Sequence, residues 1–134
     1  LIINTSAALV RLYTFDFVEF QAFGELKQHI LEHTKPGDTL FGDSNTATLL
    51  ALAANRDIAL NFPDTNIQVF ESKVVSLEDT IKELKASPPA LVIIRPTRGI
   101  GALEQFTGYL EQDCTQEKHA KDQLQGDFLV YGCR

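Results

Sequence analysis

The chain has 134 residues, a length that suits one domain better than two. Its formal net charge of −6 and its pI near 4.9 argue against the basic surface that nucleic acids require. The same charge argues against a polybasic membrane patch, and no apolar run approaches the ~18 residues of a spanning helix. The sequence contains no Met, so we expect that Leu1 is not a translation start and that a longer protein surrounds this chain.

The first half of the chain predicts helices alternating with short strands. A helix from about Phe17 to His33 carries apolar residues at helical spacing. The apolar run Thr39–Gly42 predicts a strand, and the Ala- and Leu-rich segment Thr46–Ala54 predicts a buried helix. A second strand is predicted at Ile58–Phe62. The next segment, Ile67–Val75, contains β-prone residues without a clean period, so it stays unassigned.

The second half continues the alternation. Ser76 is predicted to cap a helix over Leu77–Ala86, which ends before a Pro-Pro pair. Ala90–Ile94 is the clearest strand, because it is apolar on both faces like a central parallel strand. Beyond it the pattern predicts, in order, a helix, an edge strand or loop, and a last strand: Ala102–Gln112, Thr115–Gln123 and Phe128–Tyr131.

This order of elements predicts an α/β fold. Strands that alternate with helices at this spacing form right-handed βαβ units on a mostly parallel sheet. We therefore expect a Rossmann-like three-layer sandwich whose C-terminal hairpin adds an antiparallel edge. Residues 15–134 are expected to form a single α/β domain, and residues 1–14 are expected to link it to something upstream.

Polar and charged residues follow the predicted strands and form the best candidate ligand site. Ligands of open α/β sheets bind outside the carboxyl ends of the strands. The candidate ligand-binding residues at that edge are Asp43, Ser44, Asn45, Asp64, Arg95 and Arg98. The same residue types are also the usual helix caps and turn formers. A polar ligand site and a purely structural role are therefore both open.

Other motifs point to no specific chemistry. Gly99-Ile100-Gly101 lacks the third glycine of a dinucleotide fingerprint, and no phosphate-binding P-loop occurs, so no cofactor is predicted. The sequence also lacks a G-x-S-x-G elbow, and no catalytic residue is assigned.

The segment His29–His33 matches the zinc pattern H-x-x-E-H, in which two His lie one helical turn apart. A catalytic zinc needs a third protein ligand, which the sequence does not mark out. A solvated helix end is therefore expected and no metal site is assigned. A zinc hydrolase built on His29 and His33 remains the least favoured hypothesis.

The two cysteines, Cys114 and Cys133, form a candidate disulfide. An oxidising compartment would favour the bridge, whereas two separate free thiols are the alternative. Metal binding by these cysteines is disfavoured because the sequence contains no C-x-x-C.

Several short motifs resemble one family of membrane enzymes. The stretch Pro36–Asp43 resembles a "P-G-D" turn followed by a strand ending in Asp, and the next helix closes at Asn55-Arg56. Later motifs are Pro88–Ile94, the pair Tyr109-Leu110 and the final Val130–Arg134. Together they are similar to the extracytoplasmic C-terminal domain of polytopic, lipid-phosphosugar-dependent membrane glycosyltransferases of the protein mannosyltransferase-like class.

The resemblance implies a soluble domain on the extracytoplasmic face of a membrane, attached to a membrane portion that precedes Leu1. The domain would be accessory to sugar transfer from a lipid-phosphate sugar donor, because the family's catalytic acidic residues lie in the membrane portion. Its partners would be that membrane portion and a glycan acceptor or lipid-linked sugar, and no nucleic acid. Only Asp43 and Arg56 match family-like positions. The alternative is a free-standing Rossmann-like module that binds a small ligand.

Overall fold

The computed structural model describes residues 21–134. Five helices are found in this part of the chain: α1 (Phe23–His33), α2 (Ser44–Ala54), α3 (Ile67–Glu71), α4 (Leu77–Ala86) and α5 (Glu104–Asp113). Five strands accompany them: β1 (Thr39–Gly42), β2 (Asp57–Ile58), β3 (Leu91–Ile94), β4 (Thr115–Asp122) and β5 (Gly126–Gly132). Two short 3-10 turns cover Ala59–Asn61 and Gly99–Ala102. No helix among these described residues is both long and apolar enough to cross a membrane.

The strands form one five-stranded mixed sheet in the order β2-β1-β3-β5-β4. The first three pair in parallel, with Leu40 of β1 opposite Leu91 of β3. β5 pairs antiparallel with both β3 and β4, so the C-terminal hairpin forms one edge. The predicted α/β class, with parallel strands and an antiparallel edge hairpin, is confirmed.

The two faces of the sheet contact different helices. Leu91 and Ile93 of β3 belong to an apolar cluster that includes residues of α1 and α2. The intervening Val92 belongs to a second cluster, which includes residues of α4 and α5. Because successive strand residues point to opposite faces, α1 and α2 pack on one face of the sheet and α4 and α5 on the other.

The second predicted strand is mostly wrong. Only Asp57–Ile58 pairs with β1, and the chain then turns through Ala59–Asn61. Leu60 and Asn61 adopt positive φ values of 60° and 50°, which are incompatible with a strand. The following unassigned segment contains α3, whose N-cap Asn66 accepts a hydrogen bond from the Gln68 N–H.

The helix predicted from about Phe17 begins at Phe23 within the described residues, and the expected link 1–14 lies outside them.

The cap of helix α1 comes from a distant residue, Asp122. Its Oδ2 accepts a hydrogen bond from the Ala22 N–H at 3.0 Å, across 100 residues of sequence. A carboxylate at a helix N-terminus satisfies an unpaired donor and complements the helix dipole.

Three polar contacts run along the line where α1 passes β4. Asp122 binds the start of the helix, Lys118 Nζ lies 2.8 Å from Glu25 Oε1, and Glu117 Oε2 lies 3.2 Å from His29 Nε2. From one contact to the next the residue number increases along α1 and decreases along β4. The helix therefore runs antiparallel to β4 and is fastened to it by side chains.

Cys114 and Cys133 form a disulfide with their Cα atoms 4.3 Å apart. Cys114 follows the last residue of α5, and Cys133 follows the last residue of β5. The bridge closes a segment of sequence separation 19 that holds the whole β4–β5 hairpin. It therefore ties α5 to the antiparallel edge of the sheet.

Replacing both cysteines by Ala should lower the free energy of unfolding by about 3 kcal/mol, the loop-closure value for a segment of this length. Urea unfolding measures the change. The double variant should be insensitive to dithiothreitol, whereas the parent chain should fall to the stability of the variant in its presence. Equal stability of the parent chain with and without reductant would contradict the prediction.

Asp122→Asn should destabilise the domain by about 1 kcal/mol or more, because buried backbone donors lose a charged acceptor. Burial raises the pKa of Asp122, but N–H donors of Gln125, Ala22 and Leu124 outweigh it and hold the pKa below its ordinary 3.8. The unfolded state therefore binds the proton first as the pH falls. The stabilisation is complete above about pH 3.8 and is lost as the pH falls through the lower folded-state pKa.

The measurement is the difference in unfolding free energy between parent and variant across this pH range. That difference should shrink as the pH falls. The exposed Asp127→Asn, in the same hairpin, is the control. A difference that stays constant with pH would show that the carboxylate charge of Asp122 is not what stabilises the hairpin.

Candidate functional site

The carboxyl ends of β1 and β3 meet at an ion pair between the buried Asp43 and the partly buried Arg95. Arg95 Nη2 lies 3.1 Å from Oδ1 and 3.0 Å from Oδ2 of Asp43. Thr46 Oγ1 donates to Oδ2 of the same carboxylate at 2.9 Å. Asp43 is only 1% exposed. Both carboxylate oxygens are thus occupied by neighbouring side chains.

The backbone around this pair leaves no room for added atoms. Gly42 has φ +138°, and a Cβ there would lie 1.8 Å from the Ile93 carbonyl oxygen. Gly99 has φ +55°, and a Cβ there would lie 2.8 Å from Asp43 Oδ1. Glycine is required at both positions because β1 touches β3 and the loop after β3 covers the carboxylate.

Arg95 also reaches the hairpin. Its Nη1 donates to Gln125 Oε1 in the turn between β4 and β5 at 3.1 Å. The guanidinium therefore links the ends of β1 and β3 to the antiparallel edge. Asp43 stands at the N-cap position of α2, but its carboxylate binds Thr46 and Arg95 rather than a backbone N–H of the helix.

The candidate residues of the strand-end crevice therefore separate into three groups. Asp43 and Arg95 hold each other, and Arg98 is exposed on the loop after β3. The others line an open groove of about 440 Å³ along the outer side of α2. Its lining comprises Ser44, Asn45, Thr48, Leu49, Leu52, Pro63 and Asp64. The groove is polar near the start of α2 and apolar along Leu49 and Leu52.

Thr65 anchors the turn on the far side of this groove. It is 2% exposed, and its hydroxyl donates to the Gly42 carbonyl at the end of β1. The neighbouring Asp64 accepts from the Asn66 N–H at 3.2 Å, as expected of a turn former.

Arg56 joins the C-terminal ends of two helices. Its Nε donates to Thr34 Oγ1 at 2.8 Å and its Nη2 to the Thr34 carbonyl at 3.1 Å, just beyond α1. Nη1 donates to the Ala54 carbonyl at 2.7 Å, at the end of α2. A guanidinium suits this position because its planar fork serves several carbonyls and complements both helix dipoles.

A second polar cluster lies between α1 and β4. His29, His33 and Glu117 each place one ligand atom within 4.8 Å of those of the other two. His29 is buried, 8% exposed, which a solvated helix end does not explain, whereas His33 and Glu117 are exposed. The two imidazole rings stack with centroids 3.9 Å apart. Burial lowers the pKa of His29 below 6.5, against the opposing hydrogen bond with Glu117.

Sequence reasoning missed Glu117, Asp122 and Gln125 as partners. All three belong to the polar stretch that forms β4 and the hairpin turn, where no apolar period marks which side chain faces the protein. The sequence predicted the hairpin, but nothing in the sequence indicated that this stretch contacts α1. Comparison with protein-family models, with curated proteins and with solved structures finds no match to the chain.

Arg95→Met should lower the free energy of unfolding by about 3 kcal/mol or more, because it leaves the Asp43 carboxylate buried without its cation. Adding Asp43→Asn should recover part of that loss, since the two residues are directly coupled. Urea unfolding of both single variants and the double variant measures the coupling. Simple addition of the two single costs would contradict a structural ion pair.

Proposed function

We propose that the chain is an extracytoplasmic accessory domain of a membrane glycosyltransferase that uses a lipid-phosphate sugar, and that it holds a Rossmann-like three-layer fold. The observation that carries the proposal is the Cys114–Cys133 disulfide. Structural disulfides persist in oxidising compartments and are rare in the cytosol. The bridge therefore favours the extracytoplasmic side of a membrane, where the resemblance of the sequence motifs also points.

The Asp43–Arg95 pair supports a non-catalytic role. Both family-like positions, Asp43 and Arg56, spend their hydrogen bonds on other parts of the domain. A carboxylate that is 1% exposed and bound by Arg95 and Thr46 is suited to hold strands together rather than to act on a substrate. In this proposal the acid–base chemistry belongs to the membrane portion.

The outer side of α2 is the surface we propose to contact the membrane portion. Leu49 and Leu52 are 50% and 78% exposed beside Pro63. Exposed apolar side chains next to one another on a helix favour burial against a partner. The polar end of the same groove, at Ser44, Asn45 and Asp64, is suited to hydroxyl groups of the glycan acceptor or the lipid-linked sugar.

One feature favours the alternative, a free-standing module that binds a small ligand. The groove joins Ser44 and Asn45, at the start of α2 directly after β1, to Asp64 in the segment that follows β2, near the carboxyl ends of the strands where ligands of open α/β sheets bind. Thermal stabilisation of the isolated chain by sugar phosphates, together with an upstream reading frame that encodes no membrane spans, would favour this alternative.

The reading frame upstream of Leu1 in the source genome tests the proposal directly. We expect several apolar spans of about 20 residues and an acidic loop between two of them on the extracytoplasmic side. A frame that encodes no such spans would refute the transferase proposal.

The contact surface is tested by cysteine labelling of the full-length protein in detergent. In the full-length protein, the cysteine of Leu52→Cys should react with a maleimide at least about tenfold more slowly than in the isolated chain. A docking free energy of about 1.4 kcal/mol leaves the surface accessible only about one tenth of the time. Val74→Cys is the matched control, since Val74 is 79% exposed in the loop between α3 and α4 and does not line the groove. Equal labelling of the two positions in the full-length protein would contradict docking through α2.

A further inference from the structure

The cluster of His29, His33 and Glu117 has a donor set typical of a transition-metal site. Two imidazoles come from one face of α1, one helical turn apart, and the carboxylate comes from the edge strand β4. His29 Nε2 and Glu117 Oε2 lie 3.2 Å apart. Ligand atoms bound tetrahedrally to one zinc ion at about 2.0–2.1 Å lie about 3.3 Å from each other. This pair is therefore already at ligand spacing.

The third ligand is close enough to complete the set. All three residues offer ligand atoms within 4.8 Å of one another, so a shift of roughly 1.5 Å brings the last atom to the same spacing. Both His33 and Glu117 are exposed, so their side chains are free to make that adjustment. His29 is buried and fixes the position of the site relative to the helix.

A β-bulge directs Glu117 toward the helix. Gln116 pairs with Tyr131 and Lys118 pairs with Val130, so Glu117 is the extra residue between them. In a regular strand Glu117 and Lys118 would point to opposite faces, but here both contact α1. Bulges re-aim side chains in this way and are frequent next to functional sites.

Space for the carboxylate comes from Gly132 on the neighbouring strand. A Cβ at Gly132 would lie 2.1 Å from Glu117 Oε1 and 2.8 Å from its Cδ. The carboxylate therefore rests directly over the glycine backbone of β5.

A backbone hydrogen bond orients His33. Its Nδ1 lies 2.8 Å from the His29 carbonyl oxygen, so Nδ1–H donates and Nε2 is the ring nitrogen left to bind a metal. Metal-binding histidines almost always donate their other ring N–H to a carbonyl or a carboxylate in this manner. Lys118, whose charge acts on His29, is engaged by Glu25 at 2.8 Å, which offsets that charge beside the site.

We propose that His29, His33 and Glu117 bind one zinc ion, with solvent at the fourth position. Imidazole and carboxylate donors favour zinc and similar first-row ions over magnesium or calcium, which prefer oxygen ligands alone. The bound ion links α1 to the edge strand β4. This inference does not depend on the proposed function, because it rests on side chains of α1 and β4 alone.

The test uses tag-free chain and Co²⁺ as a spectroscopic substitute for zinc, with Zn²⁺ titrated by calorimetry. We expect one ion per chain, the intense visible absorption of four-coordinate Co²⁺, and displacement of Co²⁺ by Zn²⁺. His33→Gln and Glu117→Gln should each weaken Zn²⁺ binding by at least about 10- to 100-fold, the range measured even for residues one shell further out. Both residues are exposed, so the variants should keep the circular dichroism spectrum of the parent chain.

The matched control is His119→Gln. His119 lies on the same strand, is exposed, and pairs with Asp127 at 2.8 Å, so it tests whether any surface histidine suffices. It should bind Zn²⁺ like the parent chain. The proposal is overturned if the parent chain binds no Zn²⁺, if His33→Gln and Glu117→Gln bind as tightly as the parent, or if His119→Gln abolishes binding.

Discussion

A buried carboxylate without a cation is one of the costliest features a small domain can contain, and Asp43 sets this constraint for the whole sheet. It lies 1% exposed at the end of β1, so the structure must bring a guanidinium to it. Arg95 comes from the end of β3, and the same side chain reaches Gln125 in the hairpin turn. One ion pair thereby fixes the relative position of both central strands and the antiparallel edge. The glycine at 99 follows from it, because a Cβ there would lie 2.8 Å from the Asp43 carboxylate.

The second constraint is how α1 attaches to an edge strand that has almost no apolar side chains. Ala120 is the only apolar residue of β4, and it joins the cluster on the α1 face. The other contacts described are polar: Asp122 binds the Ala22 N–H at the start of the helix, Lys118 pairs with Glu25 in its first turn, and Glu117 pairs with His29 near its middle. Exposed ion pairs contribute little individually, so the contribution of Asp122, which is buried and binds backbone donors, dominates. The disulfide then restrains the hairpin from the other side of the sheet, through α5.

These constraints explain which features the sequence could predict. Thr39–Gly42 and Leu91–Ile94 were predictable as strands, because continuous apolar runs bounded by turn residues have few other solutions. The strand over Ile58–Phe62 was wrong because Leu60 and Asn61 adopt left-handed backbone conformations. Asn favours that region, but Leu disfavours it, so the apolar run concealed the turn. Topology correctly put Asp43 and Arg95 at one sheet edge, but their burial decided that they bind each other. Glu117 was unpredictable, since a bulge reverses the face of a strand residue and leaves no period to recognise.

The bulge at Glu117 serves two physical requirements at once. β4 is an edge strand, and an edge with free backbone groups invites pairing with another chain unless it is blunted by charge, irregularity or short length. The sequence of β4 is rich in charged residues, and the bulge interrupts its regular register near one end. The same interruption rotates Glu117 onto the α1 side, where it meets a histidine pair one helical turn apart. A device that protects the edge of the sheet therefore also assembles, from a helix and a strand far apart in sequence, the donor set that we assign to zinc.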